Sequence, residues 1–144
     1  MASITDTMAG DHRRCDLIFA DAEASVSDSN WDAGSTQFKE FHEAMEHHFS
    51  MEEGVLFPTF EEASGMTMGP TQVMRMEHTQ MRQLFSDMAQ AVENQDKDGY
   101  LGLSETLMML MQQHNMKEEQ MLYPMTDRTF GGGADEVLEK MSAV

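Results

Sequence analysis

The chain has 144 residues, of which 26 are acidic and 9 are lysine or arginine, so its formal net charge is −17. This balance argues against nucleic acid or an anionic membrane surface as partners, because both need clustered basic side chains. The one cysteine, Cys15, cannot form an internal disulfide, and no stretch reaches the roughly 18 apolar residues of a membrane helix. We therefore expect one domain over residues 1–144, located in the cytoplasm.

Apolar residues recur every three or four positions in the first half of the chain, as is typical of the inner face of a bundle helix. The stripe of the first predicted helix is Met8, His12, Cys15, Phe19, Ala22 and Val26. That of the second is Phe38, Phe41, Met45, His48, Glu52 and Val55. A polar stretch at residues 27–35 separates the two helices, and Pro58 is expected to end the second, since proline lacks the N–H group that a helix needs.

The second half repeats this pattern after a linker at residues 65–70. The third stripe is Met74, His78, Met81, Phe85, Met88 and Val92. The fourth is Ser104, Leu107, Met111, His114, Glu118 and Met121. Pro124 should end the fourth helix, and the glycines at 131–133 form a flexible joint before a short amphipathic helix at 135–141. The prediction is an all-α, up-down-up-down four-helix bundle over about residues 8–126, with a C-terminal tail at 127–144.

Polar residues interrupt the apolar stripes at equivalent places in the two halves. His78 and His114 follow His12 and His48 by 66 residues, and the second histidine of each half has a glutamate four residues later. These positions point inward, where unpartnered carboxylates and imidazoles would cost several kcal/mol per charged group. A metal centre would compensate this cost, since a histidine and a glutamate four residues apart lie on one helix face.

The duplication suggests how two metal ions would be held. We expect His12 and His48 to bind one ion, His78 and His114 to bind the other, and Glu52 and Glu118 to bridge the two. Nitrogen and oxygen donors with open coordination positions favour iron or manganese over a structural zinc site, which usually has thiolate ligands. The alternative is a buried hydrogen-bonded network of the same six residues without metal.

These motifs resemble those of the hemerythrin-like, or HHE cation-binding, family of di-iron four-helix bundles. The resemblance covers roughly residues 8–126 and includes the Leu-aromatic-Pro sequences at 56–58 and 122–124. Oxygen-carrying members have a further histidine where this chain has Arg82, and an aspartate where it has Glu119. The pattern is therefore similar to the four-histidine subgroup, although the sequence leaves open whether Glu118 or Glu119 is the ligand.

The resemblance implies two iron ions bridged by an oxo or hydroxo group, and small ligands such as dioxygen, hydrogen peroxide or nitric oxide. Loss of the fifth histidine leaves more exchangeable positions, which favours binding or reduction of these ligands, including catalase-like or peroxidase-like chemistry, over simple oxygen carriage. The alternatives are an iron or oxygen sensor and an iron-buffering protein. Arg82 and Tyr123 are candidates for contacts just outside the metal ligands.

Overall fold

The computed structural model describes residues 2–144 and contains, within that range, helices and turns but no strand. Its elements are α1 Ile4–Ser27, α2 Trp31–Met51, the π-helical turn π1 Glu52–Leu56, α3 Phe57–Ser64, α4 Pro70–Glu93, α5 Lys97–Lys117, the π-helical turn π2 Glu118–Leu122, α6 Tyr123–Phe130, a 3-10 turn Gly131–Gly133, and α7 Ala134–Ser142. Helices α2 and α5 continue through their π turns into α3 and α6. Four long helical segments therefore form the predicted bundle, which is confirmed.

Short turns join the helices within each half of the chain. Asn30 accepts a hydrogen bond from the N–H of Ala33 at the start of α2, and Asp96 accepts one from the N–H of Gly99 at the start of α5. Such side-chain caps satisfy backbone donors that the first helical turn leaves free. Between the halves, α3 ends at Ser64 and is capped by Gly65, whose φ of 74° is readily adopted only without a side chain.

The prolines do not end the second and fourth helices, so that prediction is wrong. Pro58 and Pro124 lie in the first turns of α3 and α6, and a π turn immediately precedes each helix. In an unbroken α-helix, a proline ring collides with the carbonyl group four residues earlier and its missing N–H leaves that group unpaired. The wider π turn relieves this conflict, and the chain continues as helix.

Each π turn also changes which side chains point inward. The α-helical stripe predicted Met121 as a core residue, but its side chain is 61 % exposed. Leu122 and Tyr123 are buried instead, because the hydrogen bond from the N–H of Tyr123 to the carbonyl of Glu118 encloses one more residue than an α-helical turn does. The same shift occurs at residues 55–57.

Two apolar clusters fill the bundle, and the predicted metal ligands lie between them along the helices. In α1, for example, His12 falls between Met8 of one cluster and Cys15 of the other. The tail helix α7 packs Val137 and Met141 into the cluster that contains Met8. The triple glycine before α7 forms a 3-10 turn, where a flexible joint was expected. Among the described helices, none is both long and apolar enough to cross a membrane.

Candidate metal centre

The six predicted ligands come together in the interior of the bundle. Helix α1 contributes His12 and helix α4 contributes His78. The segment formed by α2 and π1 contributes His48 and Glu52, and the segment formed by α5 and π2 contributes His114 and Glu118. All six side chains are buried, with relative exposures of at most 5 %. They are His12, His48, Glu52, His78, His114 and Glu118.

Each glutamate reaches one histidine of both predicted pairs. Oε1 of Glu118 is 3.1 Å from Nε2 of His12 and 3.2 Å from Nε2 of His114. Oε1 of Glu52 is 3.5 Å from Nε2 of His48 and 3.1 Å from Nε2 of His78. In this arrangement each carboxylate could reach a pair of ions, with two imidazoles directed at each ion.

A second ring of carboxylates binds the outer nitrogen of every one of these histidines. The four contacts from Nδ1 to a carboxylate oxygen are His12 to Glu119 at 2.7 Å, His48 to Asp11 at 2.7 Å, His78 to Glu53 at 2.6 Å and His114 to Glu77 at 2.7 Å. The sequence reasoning did not assign these partners, although they share the same 66-residue spacing. Glu119 therefore lies outside the centre, and Glu118 faces it.

The outer carboxylates determine the state of the rings. An ionised carboxylate can only accept, so each Nδ1 carries a hydrogen and each ring turns its Nε2 towards the centre. There every Nε2 faces a glutamate oxygen, and four buried atoms have no hydrogen-bond partner: Oε1 of Glu52, Nε2 of His78, Nε2 of His114 and Oε2 of Glu118. A cation placed between such nitrogen and oxygen atoms stabilises them, and in a neutral ring the lone pair of Nε2 is free to bind a metal ion. The donor set therefore fits a metal site.

The pKa shifts within the centre also favour a bound cation. Burial, together with the neighbouring Glu118, raises the pKa of Glu52 well above its ordinary value. Burial opposes ionisation of Glu118 as well, but His114 holds the pKa of Glu118 well below its ordinary value, and Glu118 in turn raises the pKa of His114 to about 9. The protein itself thus stabilises one buried carboxylate at neutral pH. Ionising the second requires further positive charge in the centre.

Tyr123 also enters this centre. Its hydroxyl is 2.7 Å from Oε2 of Glu52 and 3.0 Å from Oε1 of Glu118, and it lies between Nε2 of His12 at 3.2 Å and Nε2 of His48 at 3.3 Å. The side chain is completely buried. Burial and the two glutamate charges raise the pKa of Tyr123 well above its ordinary value, so the free phenol acts as a hydrogen-bond donor.

Arg82 lies outside the centre and supports it indirectly. Its guanidinium group donates to Glu53 at 2.9 and 3.0 Å and to Glu46 at 3.1 Å, and it stacks 5.0 Å from the ring centre of Phe49. Although burial opposes it, the contacts from Arg82 and His78 lower the pKa of Glu53. Arg82 thus keeps charged the carboxylate that orients the His78 ring.

The two halves differ most around these outer contacts. Phe49 stacks on His78 with ring centres 3.9 Å apart, whereas the residue 66 positions later is Asn115. Arg82 is likewise matched in the first half by Asp16. Asn115 and Asp16 line a surface groove of about 370 Å³ that also includes Glu119, the carboxylate partner of His12. The centre is therefore closed by stacked side chains beside His78 and bordered by this groove beside His12.

Replacing Glu53 with glutamine is expected to lower metal affinity by about 10- to 100-fold, the usual cost of removing an outer partner of a metal-binding histidine. The glutamine amide is uncharged, so Arg82 would lose its anionic partner at this position. The NH₂ group of the amide also cannot accept the hydrogen bond from Nδ1 of His78, and either change would disturb the His78 ring. Competition with a chromophoric chelator measures this change. Glu46→Gln is the matched control, since Glu46 also binds Arg82 but touches no histidine of the centre. Equal affinities for the two variants would contradict the role assigned to Glu53.

Comparison with known proteins gives one match. The family model described as the hemerythrin HHE cation-binding domain matches residues 3–126. This range contains all six predicted ligands and all four outer carboxylates. No curated protein and no solved structure matches the chain significantly.

Proposed function

The chain belongs to the hemerythrin HHE cation-binding domain family, and from this premise we propose that its buried centre holds two iron ions and binds or reduces dioxygen, hydrogen peroxide or nitric oxide. The observation that supports this most directly is the set of four imidazole Nε2 atoms and two carboxylates with their outer hydrogen bonds already made. Six such ligands around two ions leave coordination positions for small molecules.

Iron in this centre would supply the ligand-binding and electron-transfer chemistry of the proposal. The protein's own residues provide the surroundings. The outer carboxylates fix the imidazole rings, Phe49 and Phe57 form apolar walls beside His78, and the Tyr123 oxygen lies inside the centre beside Glu52. Because the ligands are almost completely buried, only small molecules would fit.

The presence of Arg82 favours a centre that reacts with its ligands over one that only carries oxygen. It stands where the resemblance places a fifth histidine in oxygen carriers, and its guanidinium group is engaged with Glu53 and Glu46. Each ion would then have two histidines. Two ions with similar, unsaturated coordination suit turnover of peroxide or nitric oxide, so a catalase-like or peroxidase-like activity is the enzymatic form of the proposal.

The test is to measure the iron content of the purified protein, with its optical spectrum and the oxygen released before and after addition of hydrogen peroxide. We expect two irons per chain and consumption of peroxide, and a parallel assay should follow the loss of nitric oxide. Protein that binds no iron, even after anaerobic reconstitution with ferrous iron, would overturn the di-iron centre. Protein that binds two irons and leaves both substrates unchanged would overturn the redox function alone.

One observation favours a second function, an iron or oxygen sensor. Helix α7 packs against π1, the turn that begins with the proposed ligand Glu52. Loss of metal would then loosen residues 134–144 and expose their apolar face to a protein partner. Hydrogen exchange in that segment should increase on metal removal, and unchanged exchange would exclude the sensor. Iron buffering, the other alternative, would be limited to the two ions that six ligands can hold.

A further inference from the structure

Tyr123 brings a seventh potential ligand atom to the buried centre. The chain has only two tyrosines, and the family resemblance assigned Tyr123 no metal contact. Its oxygen lies 3.2 Å from Nε2 of His12, 3.3 Å from Nε2 of His48 and 3.0 Å from Oε1 of Glu118. The donor atoms of these three residues already form one compact group that could hold an ion.

These separations are compatible with atoms that share one metal ion. Two donors that each lie about 2.1 Å from an ion, at angles between a right angle and a tetrahedral angle, are roughly 3.0 to 3.4 Å apart. All three distances from the Tyr123 oxygen fall in or at the edge of that range. The tyrosine oxygen therefore completes a four-donor group of two nitrogens and two oxygens.

The other half of the chain offers no equivalent oxygen. The counterpart of Tyr123 is Phe57, whose ring stacks against His78 with the centres 5.8 Å apart. The second donor group consists instead of Glu52, His78, His114 and Glu118. The two donor groups share Glu118 and each contain two histidines, but their fourth donor is Glu52 in one group and the Tyr123 hydroxyl in the other.

We propose that Tyr123 is a direct phenolate ligand of the ion held by His12 and His48, so that the two metal positions are chemically distinct. The proposal rests on the proposed function, since it requires iron in the centre. On coordination to ferric iron, the phenol O–H bond breaks, the oxygen donates its electron pair to the ion, and the proton leaves to solvent. Dioxygen from air is the oxidant that converts the ferrous iron used for loading to the ferric state.

The experiment uses three full-length proteins, the wild type, Tyr123→Phe and Tyr100→Phe. Tyr100 is the matched control because it is also fully buried, but it packs on Phe38 in the apolar cluster away from the metal ligands. Each protein is loaded anaerobically with ferrous iron, its iron content is measured, and it is then exposed to air. Visible absorption and resonance Raman spectra report a phenolate-to-iron charge-transfer band and its tyrosinate ring vibrations.

We expect the band and the vibrations in the wild type and in Tyr100→Phe, and their complete loss in Tyr123→Phe with iron still bound. A second measurement does not alter Tyr123 at all. In Tyr100→Phe the only tyrosine is Tyr123, so incorporation of ring-deuterated tyrosine should shift the vibrations in that protein. This assignment holds even if Tyr123→Phe does not fold.

Two results would overturn the proposal and are distinguishable from each other. Iron-loaded wild type without a tyrosinate signal, or with the same spectrum as iron-loaded Tyr123→Phe, would leave Tyr123 as a hydrogen-bond donor only, while the di-iron centre stands. Absence of iron from all three proteins would instead remove the proposed function, and the phenolate ligand with it. The iron content, measured before the spectra, separates these cases.

Discussion

Replacing Glu118 with alanine is expected to reduce bound iron from the proposed two ions per chain to a small fraction of one. Oε1 of Glu118 contacts a histidine from each predicted metal pair, and Tyr123 also meets this carboxylate. Without it, both positions lose a donor and the surrounding negative charge that attracts the ions. Elemental analysis after reconstitution with ferrous iron measures the loss.

The same substitution should lower stability both with and without metal, and by more when metal is present. At metal concentrations about 1,000 times the dissociation constant, binding stabilises a folded protein by roughly 4 kcal/mol, and the variant should lack this contribution. In the presence of a chelator the variant should still lose stability, because Glu118 is the charged partner of His114 in the metal-free centre and removing one member of a buried ion pair usually costs about 3 to 5 kcal/mol. Urea unfolding under both conditions separates the stabilisation by bound metal from the contribution of the Glu118 carboxylate to the metal-free fold.

Glu23→Gln is the control for this experiment. Glu23 binds Ser104 outside the centre, so its loss should leave the iron content unchanged. If Glu118→Ala retained two irons per chain, the carboxylate would not be a shared ligand. The bridging arrangement would then be wrong, although the histidines could still hold metal.

Replacing Phe49 with alanine should produce the second large effect, a loss of about 3 to 5 kcal/mol in the free energy of unfolding. Phe49 is 1 % exposed, and its ring centre lies 3.9 Å from that of His78. The Arg82 guanidinium carbon lies over the same ring, 5.0 Å from its centre. Its removal opens a cavity and frees both neighbours. We also expect metal affinity to fall on the order of 10-fold, because the shell around a ligand maintains its orientation.

Phe19→Ala is the matched variant for Phe49→Ala. Phe19 is a buried aromatic residue of the same apolar cluster, and it packs on Phe41 without touching a proposed ligand. Both variants should lose similar stability in urea unfolding of the metal-free proteins, but only Phe49→Ala should bind metal more weakly. Equal metal affinities in the two variants would show that Phe49 contributes to packing alone.

The repeat in the sequence was sufficient to predict the helices and the inward direction of six polar residues. A histidine such as His12 falls between core residues Met8 and Cys15 at helical spacing, and this geometry follows from local backbone structure. Each half also repeats the other, so the prediction for His12 supports that for His78. The family match to residues 3–126 agrees with this fold.

The outer carboxylates could have been proposed from the same repeat, but their partners could not. Glu53 belongs to the second helix and binds His78 of the third, while Glu119 of the fourth binds His12 of the first. Which carboxylate meets which ring depends on how the helices are rotated and placed side by side. Sequence spacing within one helix contains no information about that placement.

The position of Tyr123 depended on the tertiary structure for a more specific reason. Five residues after Glu118, an α-helical side chain would point away from it, and the π turn is what brings the phenol back onto the same face. The sequence by itself determined the bundle, its duplicated pattern and the inward histidines and glutamates, because these follow from the period of an α-helix. The structure alone decided the departures from that period, which bring Tyr123 into the centre, and the side-by-side packing of the helices, which pairs the outer carboxylates with the histidines.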